Sequence, residues 1–356
     1  MAPYGQYHLL VSLLCSLLQL HPTLGFQTIP VTLARVKSSS TQTISLHPSS
    51  KSYSHRNKMG ALFSTQSISE TTKSEYTNKS ILLTGASRGL GRSLARALSY
   101  CNPSLLILSG RDEKALEQVK IECLHIQNSA GNNNGMRVEC IPADLASKSS
   151  VEELATKSLQ LSHIDVLINN GGISSRSSFV ETKLEVDELL MQVNFFSGVA
   201  LAKRVVPGMI ASNGGRIVWI SSVQGKVGTP FRTSYAASKF AVQGYTEALR
   251  SELASSNISV HVVSPGYIRT NLSLSAVMGD GGGYGKMDDT TANGADPDEV
   301  ANEILTSIAQ NKTDFVVAAT FSAKAALLLK FLAPGFLEKQ LVKRFEKGKV
   351  EMKKES

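Results

Sequence analysis

The sequence predicts an α/β fold, a doubly wound parallel sheet in a single domain with an extension at each end. Three observations lead there. Seven short, nearly unbroken apolar runs alternate with amphipathic stretches across residues 79–320, and strands that are apolar on both faces belong in a parallel sheet covered by helices on each side. The first run opens directly into a glycine-rich turn. The chain of 356 residues, 42% hydrophobic and 19% charged, is also long enough to bury an ordinary globular core.

The apolar runs fall at residues 81–84, 105–108, 136–141, 164–168, 215–220, 258–263 and 314–318. Between them, residues 88–98, 113–127 and 151–161 carry apolar side chains at helical spacing. A polar stretch, NSAGNNNG at 128–135, reads as a loop before the third strand. There is no internal repeat.

The net charge of +8 is uneven along the chain. Residues 1–69 contribute +5 and residues 324–356 another +5, leaving −2 for residues 70–323. The positive charge lies at the two ends, so a nucleic-acid footprint on the folded body is not expected. Residues 9–20 (LLVSLLCSLLQL) are apolar for only twelve positions. That is short of the ~20 needed to cross a bilayer and suits the core of a signal peptide.

Residues 26–69 are rich in Ser and Thr and free of acids, the composition of a transit peptide. The domain expectation is therefore a signal-like segment at 1–25, a transit-like or disordered segment at 26–78, the folded domain at 79–320 and an apolar, then basic, tail at 321–356. The presequence implies entry into the secretory route, ending in a plastid or on the endoplasmic-reticulum membrane. A retained signal anchor and a true start at Met59 are the alternatives. Cys15, Cys101, Cys123 and Cys140 show no metal-ligand spacing and no disulfide framework. No metal is expected.

The tail from 323 to 337 is apolar but broken by Lys324, Lys330 and Pro334, then followed by Lys339, Lys343, Arg344, Lys347 and Lys349. It suits either peripheral contact with a membrane interface or packing on the body or on a second copy of the chain.

Two motifs carry the chemistry. Thr84-Gly85-Ala86-Ser87-Arg88-Gly89-Leu90-Gly91 joins the first strand to a helix. Gly85 permits the tight turn, Gly89 lets backbone N–H groups approach a pyrophosphate, and Gly91 lets the helix pack on the strand. The second strand ends at Arg111, where a carboxylate would bind a ribose 2′-hydroxyl and a cation suits a 2′-phosphate. Arg111 and Arg88 point to NADP(H), while Asp112 keeps NAD open as an acid displaced by one position. The second motif is Tyr235-Ala236-Ala237-Ser238-Lys239. Its i, i+4 spacing sets the phenol and ammonium on one helix face, where the cation lowers the tyrosine pKa towards acid–base use. Ser222 closes the fifth strand and Asn194 lies in the preceding helix.

Together with Asp144-Leu145, Asn169-Asn170-Gly171-Gly172 and Pro265-Gly266-Tyr267-Ile268-Arg269-Thr270, these residues make the chain resemble the short-chain dehydrogenase/reductase family over about residues 79–319. The resemblance implies a Rossmann fold and an enzyme acting on CH–OH or C=O groups. It implies that Ser222 holds the substrate carbonyl, Tyr235 is the general acid or base, Lys239 tunes it and binds the nicotinamide ribose, and Asn194 holds a relay water. It further implies that Gly85, Ser87, Arg88, Gly89, Leu90, Gly91, Arg111, Asp144, Leu145, Asn170, Gly171, Pro265, Gly266, Ile268 and Thr270 surround the cofactor. Gly171 departs from the family's alanine, which should perturb the strand end without abolishing binding.

Residues 264–273, the segment around Tyr284 and residues 332–335 resemble a membrane-associated branch related to 11β-hydroxysteroid dehydrogenase. That implies a hydrophobic substrate such as acyl/alkyl-dihydroxyacetone phosphate or a steroid or retinoid-like ketone. A non-catalytic NADP-binding sensor or scaffold is the rival reading.

Overall fold

The computed structural model describes residues 68–129 and 135–355. The signal-like segment, Cys15 and the transit-like stretch up to residue 67 lie outside the described residues. Seven strands form one parallel sheet in the order β3-β2-β1-β4-β5-β6-β7. They are β1 (Ser80–Thr84), β2 (Leu105–Gly110), β3 (Arg137–Pro142), β4 (Val166–Asn169), β5 (Gly215–Ile220), β6 (Ile258–Pro265) and β7 (Asp314–Val317). Each matches one of the apolar runs to within a few residues. The sheet is a Rossmann-like, doubly wound one.

Side chains alternate across the sheet as the strand period requires. Ile81 and Leu83 join the cluster containing Leu94, Leu98, Ile304 and Leu305 on one face. Leu82 joins Leu154, Leu201, Val205 and Trp219 on the other. The first face is covered by α1 (Gly89–Ser99), α2 (Glu113–Ser129) and a late helix, Pro297–Ala309. The second is covered by α3 (Lys148–Leu161), α5 (Ser197–Ala211) and α6 (Thr233–Leu253), with α4 (Leu184–Met191) entering α5 through a π turn at Gln192–Phe196. The late helix is α7, followed by α8 (Phe321–Leu332) and α9 (Pro334–Glu355). The order in which strands are added reverses between β1 and β4, which are parallel hydrogen-bonded neighbours, and that switch point opens a crevice at the strands' carboxyl ends.

The folded body begins before residue 79. Ser69 caps a short helix, Glu70–Ser74, by accepting from the Thr72 N–H. Tyr76 is fully buried, donates its hydroxyl to the Leu305 carbonyl at 3.1 Å and lies under the Arg216 guanidinium, 5.5 Å from the ring centroid. Residues 68–78 thus plug the bottom of the sheet, and a polar composition concealed one large anchor. The tail also has regular structure as α8 and α9, a turn apart, where Thr320 caps α8 through the Ala323 N–H.

This plug makes a stability prediction. Tyr76→Phe should cost about 1 kcal/mol for the lost hydrogen bond, and Tyr76→Ala about 3–5 kcal/mol for the vacated ring site. Urea unfolding midpoints of the full chain check this, and an unchanged midpoint for Tyr76→Ala would contradict the anchoring role.

Candidate active site

The carboxyl ends of β1, β4, β5 and β6 open on one cleft of about 350 Å³. At its floor, β1 and β4 are tied by side chains. Thr84 Oγ1 accepts from the Asn170 and Gly171 N–H groups at 3.1 and 3.0 Å, and Asn170 Nδ2 donates to the carbonyls of Thr84 and Gly85 at 3.0 and 3.2 Å. The tie leaves no room for side chains. A Cβ on Gly85, whose φ is +66°, would fall 2.7 Å from Gly171 Cα, and one on Gly91 would fall 2.0 Å from the Gly85 carbonyl oxygen. The expected departure at Gly171 is accommodated by Leu145, whose Cδ1 lies 2.5 Å from where a Gly171 Cβ would stand.

Gly89, Leu90 and Gly91 line the cleft and form the first turn of α1. Arg88 is the N-cap residue, and its side chain makes no capping bond. Helix-terminal N–H groups of this kind, with the positive end of the helix dipole, suit a phosphate. The glycine cradle and this first turn fit a dinucleotide pyrophosphate. Ser87, Arg88 and Arg111 line the same cleft, as do Asp144, Leu145, Asn170, Gly171, Pro265, Gly266, Ile268 and Thr270. Asp112 lies outside the lining, and its Oδ1 accepts from the Ala115 N–H at 3.0 Å, so it serves the start of α2. Asp144 Oδ1 similarly accepts from the Ala146 N–H at 3.0 Å.

Ser222, Tyr235 and Lys239 meet at the other arm. Ser222 follows β5, accepts from the Gln224 N–H at 3.1 Å and acts on the Tyr235 hydroxyl, opposing the rise that burial causes. One helical turn beyond Tyr235 on α6, Lys239 donates from Nζ to the Ile220 carbonyl at 2.9 Å, with its ammonium 5.7 Å from the Tyr235 ring centroid. Burial pulls Lys239 down to about 8.

Two observations bear on the expected roles. Burial pushes the Tyr235 pKa up, and the opposing influences are Ser222, Arg176 and Arg232. Desolvation of the enclosed phenol favours its neutral form, while the Lys239 ammonium is turned to the Ile220 carbonyl. Asn194 sits in the π turn and does not line the cleft. Its amide is fully engaged, accepting from the Ile173 N–H at 2.8 Å and donating to the Ile173 carbonyl and Ser238 Oγ at 3.0 and 2.9 Å. It braces Ser238, the residue next to Lys239.

Sequence reading missed a second charged group. Arg176 and Arg232 line the cleft and both donate to Asp288 Oδ2, through Nε and Nη2 at 3.0 Å each. Burial opposes ionisation of Asp288, but the two guanidinium groups hold its carboxyl below the ordinary range. Side-chain exposures of 11%, 9% and 15% keep the three groups out of bulk water. They are 112 and 56 residues apart along the chain, so no local pattern could have joined them.

A family model for short chain dehydrogenases matches residues 79–278. The chain belongs to the short-chain dehydrogenase/reductase family. It is 42% identical over 274 residues to dehydrogenase/reductase SDR family member 7B of Bos taurus, covering 76% of this chain and 82% of that protein. It is 43% identical over 263 residues to a family protein 7-like of Drosophila melanogaster, covering 74% and 79%. A short-chain dehydrogenase from Sphingobium yanoikuyae, solved in complex with NADPH, superposes with a TM-score of 0.60 at 26% identity, covering 73% of this chain and 95% of that one. The protein is accordingly an oxidoreductase acting on CH–OH or C=O groups.

The buried Lys239 gives the stability a pH signature. Its folded pKa near 8 lies below the ordinary 10.5, so between those values the unfolded chain binds a proton that the folded chain has released. Stability relative to Lys239→Met should therefore rise, by on the order of 1–3 kcal/mol, as pH climbs through this window. Urea unfolding at pH 7.5 and 9.5 measures the difference, and an equal gap at both pH values would contradict it.

Proposed function

We propose that the cleft transfers a hydride between NADP(H) and a carbonyl or hydroxyl carbon of a hydrophobic, lipid-like substrate. The observation that carries this reading is the convergence of Ser222, Tyr235 and Lys239 at one end of a cleft whose other end is a glycine cradle. NADP(H) is favoured over NAD(H) because Arg88 and Arg111 line the adenosine arm while Asp112 is committed to a backbone N–H. The Sphingobium relative's complex with NADPH supports the same choice.

Bound here, the nicotinamide supplies or takes the hydride; the chain supplies everything else. The glycine turn and the α1 terminus would hold the pyrophosphate, Asp144 the adenine amine, Asn170 the channel wall, and Pro265, Gly266, Ile268 and Thr270 the nicotinamide side. Ser222 would donate to the substrate oxygen. Tyr235 would give that oxygen a proton in reduction and take one back in oxidation, and its raised pKa keeps it in the acid form at neutral pH. Lys239 would meet the nicotinamide ribose, and Asn194 would fix the helix that carries both.

Among the candidate substrates, the Arg176–Asp288–Arg232 group favours acyl/alkyl-dihydroxyacetone phosphate over a steroid or retinoid-like ketone. Two guanidinium groups around one carboxylate leave a net positive charge beside Tyr235, and low dielectric strengthens its pull on an anion.

Peripheral membrane contact is proposed for the tail. Phe321, Leu328, Phe331 and Phe336 are exposed beside Lys324, Lys330 and Lys339, which suits an interface lined by anionic lipids. Entry into the secretory route rests on the composition of residues 1–69 alone.

The catalytic reading predicts that Tyr235→Phe retains NADPH binding while kcat falls at least ~100-fold. Near-normal turnover would contradict it and favour a sensor or scaffold. The cofactor reading predicts that kcat/KM is higher with NADPH than with NADH and that Arg111→Asp narrows or inverts the preference. Equal use of both cofactors by the wild-type enzyme would overturn it.

A further inference from the structure

Phe231 lies two residues before the first residue of α6, Thr233, and its backbone is unusual. Its φ is +64°, a left-handed conformation that is a genuine outlier for a bulky residue and persists only where surrounding contacts enforce it. The next residue, Arg232, is 8% exposed and is the N-cap of α6, with its carbonyl accepting from the Ala236 N–H at 2.8 Å.

Two contacts hold Phe231. The Ser177 N–H donates to its carbonyl at 3.1 Å. Its ring stacks on Phe345 of α9, with centroids 5.1 Å apart and planes 27° from parallel. The second contact is closely fitted. Gly348, one turn along α9 from Phe345, lies so near that a Cβ there would fall 2.6 Å from Phe231 Cε2. Glycine inside a helix weakens it, so the slot formed by Phe345 and Gly348 accounts for a residue that helix propensity disfavours. The preceding residue, Arg344, acts on the Tyr267 hydroxyl, lowering its pKa against the effect of burial, and Tyr267 lines the cleft with Arg232. The last helix therefore meets the substrate arm at two adjacent positions, over a hundred residues downstream of Phe231.

We propose that α9 is a working part of the substrate arm, with Phe345 as a positioning residue that clamps Phe231 in its left-handed conformation and so sets Arg232 in the cleft. Arg344 fixes the opposite wall through Tyr267. The clamp explains how a strained backbone is maintained at the start of the catalytic helix. It also couples the tail to substrate recognition while leaving the glycine cradle untouched, because that cradle is tied within β1, β4 and α1.

The proposal rests on the substrate reading above for its kinetic readout but not for its structural one. In the full-length, NADPH-bound enzyme, Phe345→Ala should raise amide hydrogen exchange in residues 228–236 while residues 85–91 keep their protection. With 1-palmitoyl-dihydroxyacetone phosphate or a steroid 3-ketone, whichever probe the wild type reduces, KM should rise about tenfold with kcat and the NADPH Kd little changed. Phe345→Tyr, which keeps the stack, should restore KM. Because Phe231→Gly and Phe345→Ala remove the same contact, the double variant should be no worse than the more impaired single one.

Unchanged exchange in 228–236 would overturn the clamp. So would a loss in which kcat and NADPH affinity fall along with KM, which marks a general packing role, or a Phe345→Tyr variant as impaired as Phe345→Ala. If the wild type reduces neither probe, the substrate reading fails, and the exchange measurement still decides the clamp.

Discussion

Everything in the cleft depends on how closely β1 and β4 approach at their carboxyl ends. With Gly85 pressed on Gly171, only backbone separates the two strands where the order of strand addition reverses. A single side chain there would push the glycine turn off the sheet. Thr84 and Asn170 convert this closeness into fixed geometry by using four hydrogen bonds to satisfy polar groups that would otherwise be buried unpaired. The turn therefore delivers the α1 terminus to one position, and the same tie fixes the end of β4, beyond which the chain runs through Gly172 and Ile173 to the Asn194 amide and α6. The phosphate end and the proton-transfer end of the cleft are thus two consequences of one contact.

Burial is the dominant electrostatic force at the catalytic end. It raises the phenol of Tyr235 and lowers the ammonium of Lys239 together, because each charged form loses water that the protein replaces only in part. A tyrosine held in its acid form suits proton donation to a carbonyl oxygen. The Arg176–Asp288–Arg232 group is the counterpart at the substrate arm, where the same loss of water is tolerated because the charges are paired and hydrogen-bonded.

The sheet was legible because strands buried on both faces leave continuous apolar runs, and all seven appear where residues 81–84 to 314–318 place them. The glycine turn and Tyr235/Lys239 were legible because their chemistry needs fixed local spacing. Residues 68–78 were not, since one buried ring, Tyr76, anchors an otherwise polar stretch. The work of Asn194 was not legible either, because a π turn is set by packing and leaves no propensity signal. Arg176, Arg232, Asp288 and the Phe231–Phe345 stack are assembled only by the tertiary fold. The burial of Tyr235 and Lys239 was not legible, because spacing reports proximity along a helix and says nothing of water excluded around it.

The central claim is that this cleft brings a nicotinamide and a carbonyl carbon together under a tyrosine proton donor. The most direct measurement follows the label from NADPH deuterated at the transferable C4 position through reduction of 1-palmitoyl-dihydroxyacetone phosphate, with the alcohol analysed by mass spectrometry and NMR. The account predicts one deuterium on the former carbonyl carbon, in a single stereochemical configuration. Alcohol formed without deuterium from either C4-labelled epimer, or tight NADPH binding with no alcohol from this or any ketone lipid, would contradict it.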